Sequence, residues 1–221
     1  FSVFLSRRIL DQVEMSVAYP NLPVTFVGFV PGITTPGGVT HQSINDVGIM
    51  RTVPNMAIFD VGDATDIEGV LDLVYEWNGP AYIRMLRKEV PRLFPANEPM
   101  VFNRARTITE GDDVLILSSS ICTEEAMRAT AALEDKGVSV QHMHVSTLKP
   151  FTDPTIVEAL KKCKYGVVTM ENHYNIGGLG SAVADLMAEN GIGKKLIKIG
   201  LNGYAHGASK MYLMTKYGID A

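Results

Sequence analysis

The sequence predicts an α/β fold of two tandem units with mainly parallel sheets, the first of them incomplete, on three observations. Apolar runs rich in β-branched residues alternate with stretches of helical period, and strand and helix in alternation imply a parallel sheet. One passage, roughly residues 88 to 112, loses that pattern in PRLFPANEP and polar, turn-rich sequence. It divides the chain into a first unit over residues 1–90, a linker over 91–108 and a second unit over 109–221. The chain also opens on Phe1 inside what reads as a helix, so the first unit is expected to be the later part of something longer.

Each element has a local reason. Residues 2 to 18 place Val3, Phe4, Ile9, Leu10, Val13, Met15 and Val17 along one mostly apolar helix, which Pro20 and Pro23 end. Val24 to Val30 is a strand. Gly32, Pro36, Gly37 and Gly38 then rule out regular structure until a short helix near residues 43 to 50. Met56 to Phe59 is a second strand, and Thr65 with Glu68 three residues on reads as a capping box opening a helix through Leu71, Val74 and Trp77. Asn78-Gly79-Pro80 stops it before a third strand, Ala81 to Leu86, and the linker ends in a short edge strand near Arg106 to Thr109. The second series runs from Val114 (VLILSS) through a helix from about Thr123 to Lys136 and a strand, Val138 to His144. Asp153 as N-cap and Pro154 at the first helical position start the next helix. Strand Tyr165 to Met170, a helix from about Gly180 to Glu189, strand Leu196 to Leu201 and a helix from Ser209 to Tyr217 complete it.

Composition narrows the function. A chain of 221 residues that is 46% hydrophobic can bury sizeable cores. A net charge of −4 with dispersed Lys and Arg offers no basic field for nucleic acid. No apolar run approaches the ~20 residues a bilayer span needs. FSVFLSRR has a helical period and no cleavage-site pattern, so a cytoplasmic protein with no membrane partner is expected. Cys122 and Cys163 provide neither a disulfide framework nor a Cys/His zinc spacing, and no metal-ligating residue is singled out.

In an open parallel sheet, ligands sit outside the carboxyl ends of the strands. The strands ending near Val30, Asp60 and Leu86 would bring His41, the Gly62-Asp63 turn and Arg87 to one rim. Arg offers a fixed fork of donors to a phosphate, and His donates to a hydroxyl or moves a proton near neutral pH. From the local pattern alone, Thr40-His41-Gln42 reads first as a helix cap, and Arg87 as a solvated strand-end arginine. Gly177-Gly178-Leu179-Gly180 has a faint likeness to a phosphate-cradling loop, with close helix-on-strand packing as the alternative. His173 and His206 read as loop histidines.

Five motifs in order, FSVFLSRRILDQV, GGVTHQSINDVGIMRTVPNM, GPAYIRMLRKEVP, ENHYNIGGLGSAVADLM and the final KYGIDA, resemble the transketolase family of thiamine-diphosphate enzymes over essentially the whole chain. The resemblance implies that residues 1–90 are the latter part of the pyrimidine-binding domain and 109–221 the transketolase C-terminal domain. It makes Phe4 the aromatic that stacks on the cofactor's aminopyrimidine and Phe1 another aromatic lining that site, in keeping with the stacking of flat rings. Arg7 matches a position near the pyrimidine, His41 the active-site histidine that bonds donor hydroxyls, and Arg87 the arginine that binds the sugar phosphate, with Arg84 as a neighbour. The cofactor would be thiamine diphosphate with Mg or Ca, and the substrate a sugar phosphate.

The sequence departs from the family in four places. The glutamate that activates the cofactor would precede Phe1, and the diphosphate and metal motif is absent, so this chain alone is expected to be inactive and to need an N-terminal thiamine-diphosphate-binding domain or subunit. Gly37 stands where the family commonly has an Asp, and the loop from Phe29 to Gly38 lacks a His. A homodimer is implied, or a heterotetramer if the enzyme is split. A deoxyxylulose-phosphate synthase, a 2-oxoacid dehydrogenase beta subunit and a non-catalytic assembly module remain as alternatives.

Overall fold

The computed structural model describes residues 1–87 and 89–221. In chain order the strands are β1 (Thr25–Phe29), β2 (Ala57–Asp60), β3 (Ala81–Met85), β4 (Arg106–Thr109), β5 (Val114–Ser118), β6 (Val140–His144), β7 (Thr147–Lys149), β8 (Gly166–Tyr174) and β9 (Leu196–Leu201). The helices are α1 (Ser2–Leu5), α2 (Leu10–Val13), α3 (Asp46–Thr52), α4 (Ala64–Glu76), α5 (Cys122–Glu134), α6 (Pro154–Lys162), α7 (Leu179–Glu189) and α8 (Lys210–Tyr217). Two mainly parallel sheets result, ordered β1-β3-β2-β7 and β4-β6-β5-β8-β9, with β7 antiparallel to β2 and β4 antiparallel to β6.

The strand β7 was not foreseen, and it ties the two units together. It belongs by sequence to the second series yet pairs with β2 of the first, Ile58 opposite Lys149. The largest apolar cluster spans the same divide: Met50, Met56, Ile58 and Tyr82 pack with Leu115, Leu117, Met143, Leu148 and Val183. The apolar faces of the two units therefore bury each other, at roughly 25 cal/mol per Å² of surface removed from water.

The single helix expected over residues 2 to 18 is broken. After α1 the chain kinks at Ser6 (φ −104°, ψ −96°), whose Oγ donates back to the Ser2 carbonyl at 2.7 Å, and α2 runs on as a wider π turn over Glu14–Ala18. A serine bonding backward over one turn competes with the helix's own ladder. The break lets Val3 sink fully into the protein while Ser2 Oγ donates to the Phe29 carbonyl at the end of β1, 3.1 Å away.

The expected cap of α4 also lies elsewhere. Asp63, not Thr65, accepts from the first turn, at Asp66 N, and it accepts from Leu93 and Phe94 N as well. Thr65 and Glu68 instead hold Arg92, so these two residues fasten the connecting segment to the helix. Asp153 does cap α6 with Pro154 in its first turn, because the side chain can accept from Thr155 N where proline has nothing to donate. No helix among the described residues is long and apolar enough to cross a membrane.

Candidate functional site

The loop leaving β1 is held in place by the second sheet. Val30 and Gly32 adopt positive φ (+50° and +56°), and Asn172 of β8 grips the turn by accepting from Ile33 N and donating to the Pro31 carbonyl. Only a residue without Cβ fits at Gly32, where the added atom would lie 2.1 Å from Asn172 Oδ1. Gln42 donates to the carbonyls of Thr35 and His206, pinning the other end. Between these anchors a short 3₁₀ turn, Gly38–Thr40, delivers His41.

His41 packs edge-on against both aromatics of the amino-terminal turn, with ring centroids 5.4 Å from Phe1 and 5.7 Å from Phe4; Phe1 and Phe4 lie 5.5 Å apart. Phe1 is 39% exposed and His41 half-buried, so this cluster faces outward. Thr40 Oγ1 lies 2.8 Å from His41 Nδ1, which leaves Nε2 for a ligand. Arg7 and Arg8 donate to the carbonyls of Val39 and Thr40, tying the helical turn to the histidine loop. The Arg8 guanidinium also lies over the Phe4 ring, 4.5 Å from its centroid, a contact that no local pattern signals.

Arg87 opens into a cleft of about 460 Å³ bordered by Thr34 and Pro36 of the same loop. His41 does not line this cleft; the loop connects the two places, since Gly37 lies against the His41 side chain. Arg84 shares neither location. It is fully buried, with Nε 2.9 Å from Asp46, Nη1 3.3 Å from Asp60 and Nη2 donating to the Asn172 carbonyl at 2.6 Å. Its expected role as a substrate contact is thereby corrected, because every arm of the guanidinium is turned to the protein's own groups. Burial works against its charge, but Asp46 and Asp60 outweigh that and hold its pKa above the ordinary value. Burial likewise lifts the Tyr82 phenol, which donates to Asp46, and the Asp60 carboxyl, against the pull of Arg84.

The glycine run before α7 is packing. A Cβ at Gly177 would lie 2.8 Å from Gly48 Cα, and one at Gly178 only 1.9 Å from Glu171 Oε2. The Glu171 carboxylate accepts from Leu179 and Gly180 N at 2.7 and 2.8 Å, so the protein's own acid fills the place an anion would take. Burial pushes that carboxyl up to about 7. His173 lies in β8, not in a loop, and is buried between Gly48 N and the Tyr174 carbonyl; desolvation takes its pKa down to about 4. His206 is an exposed loop residue. Asp63 of the Gly62-Asp63 turn spends its carboxylate on backbone donors.

Residues 1–92 match the transketolase pyrimidine-binding domain and residues 103–221 the transketolase C-terminal domain. The chain belongs to the transketolase family. It is 37% identical over its whole length to the 6-deoxy-6-sulfo-D-fructose transketolase subunit of a Clostridium species, covering 69% of that protein. It is 35% identical, again over its whole length, to a Methanocaldococcus jannaschii protein named as a transketolase C-terminal section, of which it covers 70%. A solved split-gene transketolase, an inactive beta4 tetramer, superimposes with a TM-score of 0.89 at 33% identity, over all of this chain and 70% of that one. The 1-deoxy-D-xylulose-5-phosphate synthase of Chlorobium phaeovibrioides is 33% identical, with this chain matching 35% of it.

Proposed function

We propose that the chain is the pyrimidine-binding and C-terminal part of a split transketolase, moving a two-carbon ketol unit between sugar phosphates with thiamine diphosphate. The observation that carries this reading is the clustering of Phe1 and Phe4, from the amino-terminal turn, with His41, from a distant loop, all three rings within 6 Å of one another by centroid. An aromatic face beside a proton-moving side chain suits the pyrimidine end of the cofactor and the hydroxyls of a donor sugar. The diphosphate end fits less: among the described residues no group of three or more His, Cys, Asp or Glu could hold a metal ion. The diphosphate and metal ion then come from an N-terminal domain or subunit, and the similarity to proteins named as transketolase subunits supports that division. The inactivity of the split-gene beta4 tetramer supports the further reading that this chain alone does not turn over substrate.

When bound, the cofactor supplies the carbanion and electron sink of ketol transfer. The part played by this chain is orientation. Phe4 and Phe1 put aromatic surface beside the histidine, and Arg7 and Arg8 brace the loop that carries His41. With Nδ1 engaged by Thr40, His41 Nε2 is positioned to bond a donor hydroxyl and to follow the charge that develops on it. Arg87 meets the sugar phosphate. A deoxyxylulose-phosphate synthase is the weaker reading, since the chain spans 69% of the sulfo-fructose transketolase subunit at 37% identity but only 35% of the synthase at 33%.

The test is the reconstituted full enzyme, with the activating glutamate and a partner carrying the diphosphate domain both present. His41→Ala is expected to lower kcat by about 100-fold with the unfolding midpoint preserved. An unchanged rate in a folded, assembled variant would overturn the catalytic reading and favour a silent assembly module.

A further inference from the structure

The cleft that receives Arg87 is not built by the pyrimidine-binding domain alone. Thr34, Pro36, Arg87 and Glu89 form one side, and Ser209 and Lys210, at the start of α8 in the C-terminal domain, form the other. At about 460 Å³ it has the size of a small-molecule pocket, typically several hundred Å³. Its charge is informative. Among the described residues that line it, Arg87 and Lys210 are the cations and Glu89 the one acid, and no ion pair to Arg87 or Lys210 is formed among the described residues. Arg84 is spent internally on two aspartates, and Arg7 and Arg8, beside the histidine loop, on carbonyls.

Lys210 is held at this position by two docked segments. Ser209 caps α8 by accepting from Tyr212 N, and Leu213 and Met214 bury the other side of the helix. Immediately before it, Gly207 lies so close to the histidine loop that a Cβ there would be 2.5 Å from the Pro36 carbonyl oxygen, and the His206 carbonyl accepts from Gln42. The loop that delivers His41 and the segment that delivers Lys210 are therefore one packed unit.

We infer that Lys210 is a second anion-binding residue of the substrate cleft, so that the phosphate of the sugar is gripped between the two domains, by Arg87 from one and Lys210 from the other. This rests on the proposed assignment of Arg87 to the sugar phosphate. An arginine fork and a lysine point charge converging on one oxyanion bind it more tightly than either alone, and among the described lining residues these two cations outnumber the acid Glu89.

Titration of the 221-residue chain with inorganic phosphate, at constant ionic strength against chloride, tests this by calorimetry. The Lys210→Gln variant is expected to raise the dissociation constant about tenfold, Arg87→Ala at least as much, and Lys210→Arg to stay within about twofold of the parent. In the reconstituted enzyme, Lys210→Gln is expected to raise KM for a phosphorylated ketol donor with kcat and the KM of an unphosphorylated donor held, as a contact remote from the chemistry requires. Phosphate binding weakened by Arg87→Ala but untouched by Lys210→Gln would overturn this inference and leave the Arg87 assignment standing. A parent chain that does not take up phosphate, or takes it up equally in all variants, would overturn both.

Discussion

Arg84 and Arg87 sit three positions apart at the end of β3 and meet opposite environments. Arg84 lies within β3, whose residues are buried on both faces, whereas Arg87 follows the strand in a bend: one guanidinium enters the core and the other stays exposed at the rim. Arg84 neutralises Asp46 and Asp60, and removing it would leave two buried carboxylates without a counter-charge. Arg84→Leu is therefore expected to cost about 3–5 kcal/mol of stability, seen as a lower urea midpoint. Arg87→Ala should leave that midpoint in place because the side chain is exposed. Equal midpoints for Arg84→Leu and the parent would restore Arg84 as a candidate ligand contact. The sequence shows that both residues are arginines near a strand end; which of them is wet depends on the aspartates of α3 and β2, whose proximity no spacing rule reveals.

At the scale of elements, the junction of β8 and α7 depends on a carboxylate sealed under a glycine. Glu171 caps α7 from the preceding strand, and Gly178 passes over it with no room for a methyl group. Gly178→Ala is expected to destabilise by about 2 kcal/mol or more, read as a fall in Tm, because either the helix start or the carboxylate must move. Gly191→Ala, where an added Cβ meets open space but φ is +63°, gives the control for backbone strain without crowding. The GGLG stretch left two purposes open in the sequence, and the fold decides for packing. The broken amino-terminal helix has a similar cause. Its apolar period is continuous over residues 2 to 18, but the Ser6 back-bond and the demand of β1 for Ser2 and Val3 interrupt it.

Over the whole molecule, the two sheets are joined by β7, by the shared core and by a polar contact between units. His144 of β6 lies 2.6 Å from Asp66 of α4, and Arg106 of β4 pairs with the other oxygen at 2.9 Å. Burial alone would raise the Asp66 carboxyl; His144, the Gly62 amide and Arg106 reverse this and bring it down to about 2 from 3.8. A carboxyl with a lowered pKa stabilises the fold above its ordinary value, and that contribution is lost as pH falls from 3.8 toward 2. Asp66→Asn is expected to lower stability at neutral pH by about 3 kcal/mol and to flatten this part of the acid limb. Urea midpoints across the range check it, and parallel acid limbs in variant and parent would contradict it. Two other groups titrate above that window, over overlapping ranges and with opposite signs. Neutral His173 loses its contribution from pH 6.5 down to about 4. Glu171, with a raised pKa, contributes below 4.5 and loses it as pH rises to about 7.

The sequence by itself determined the α/β class, the order of nearly all the strands and helices, and the family, because hydrophobic period and short motifs are local properties; the roles of Phe1, Phe4, His41 and Arg87 it proposed only through the family resemblance. Tertiary structure decided the rest: that β7 joins the first sheet, that Arg84 is buried, that Arg8 covers a face of Phe4, and that Lys210 reaches the Arg87 cleft. Each of these depends on groups brought together by the fold, where the free energy lies in shared burial and charge pairing rather than in any stretch of chain short enough to read.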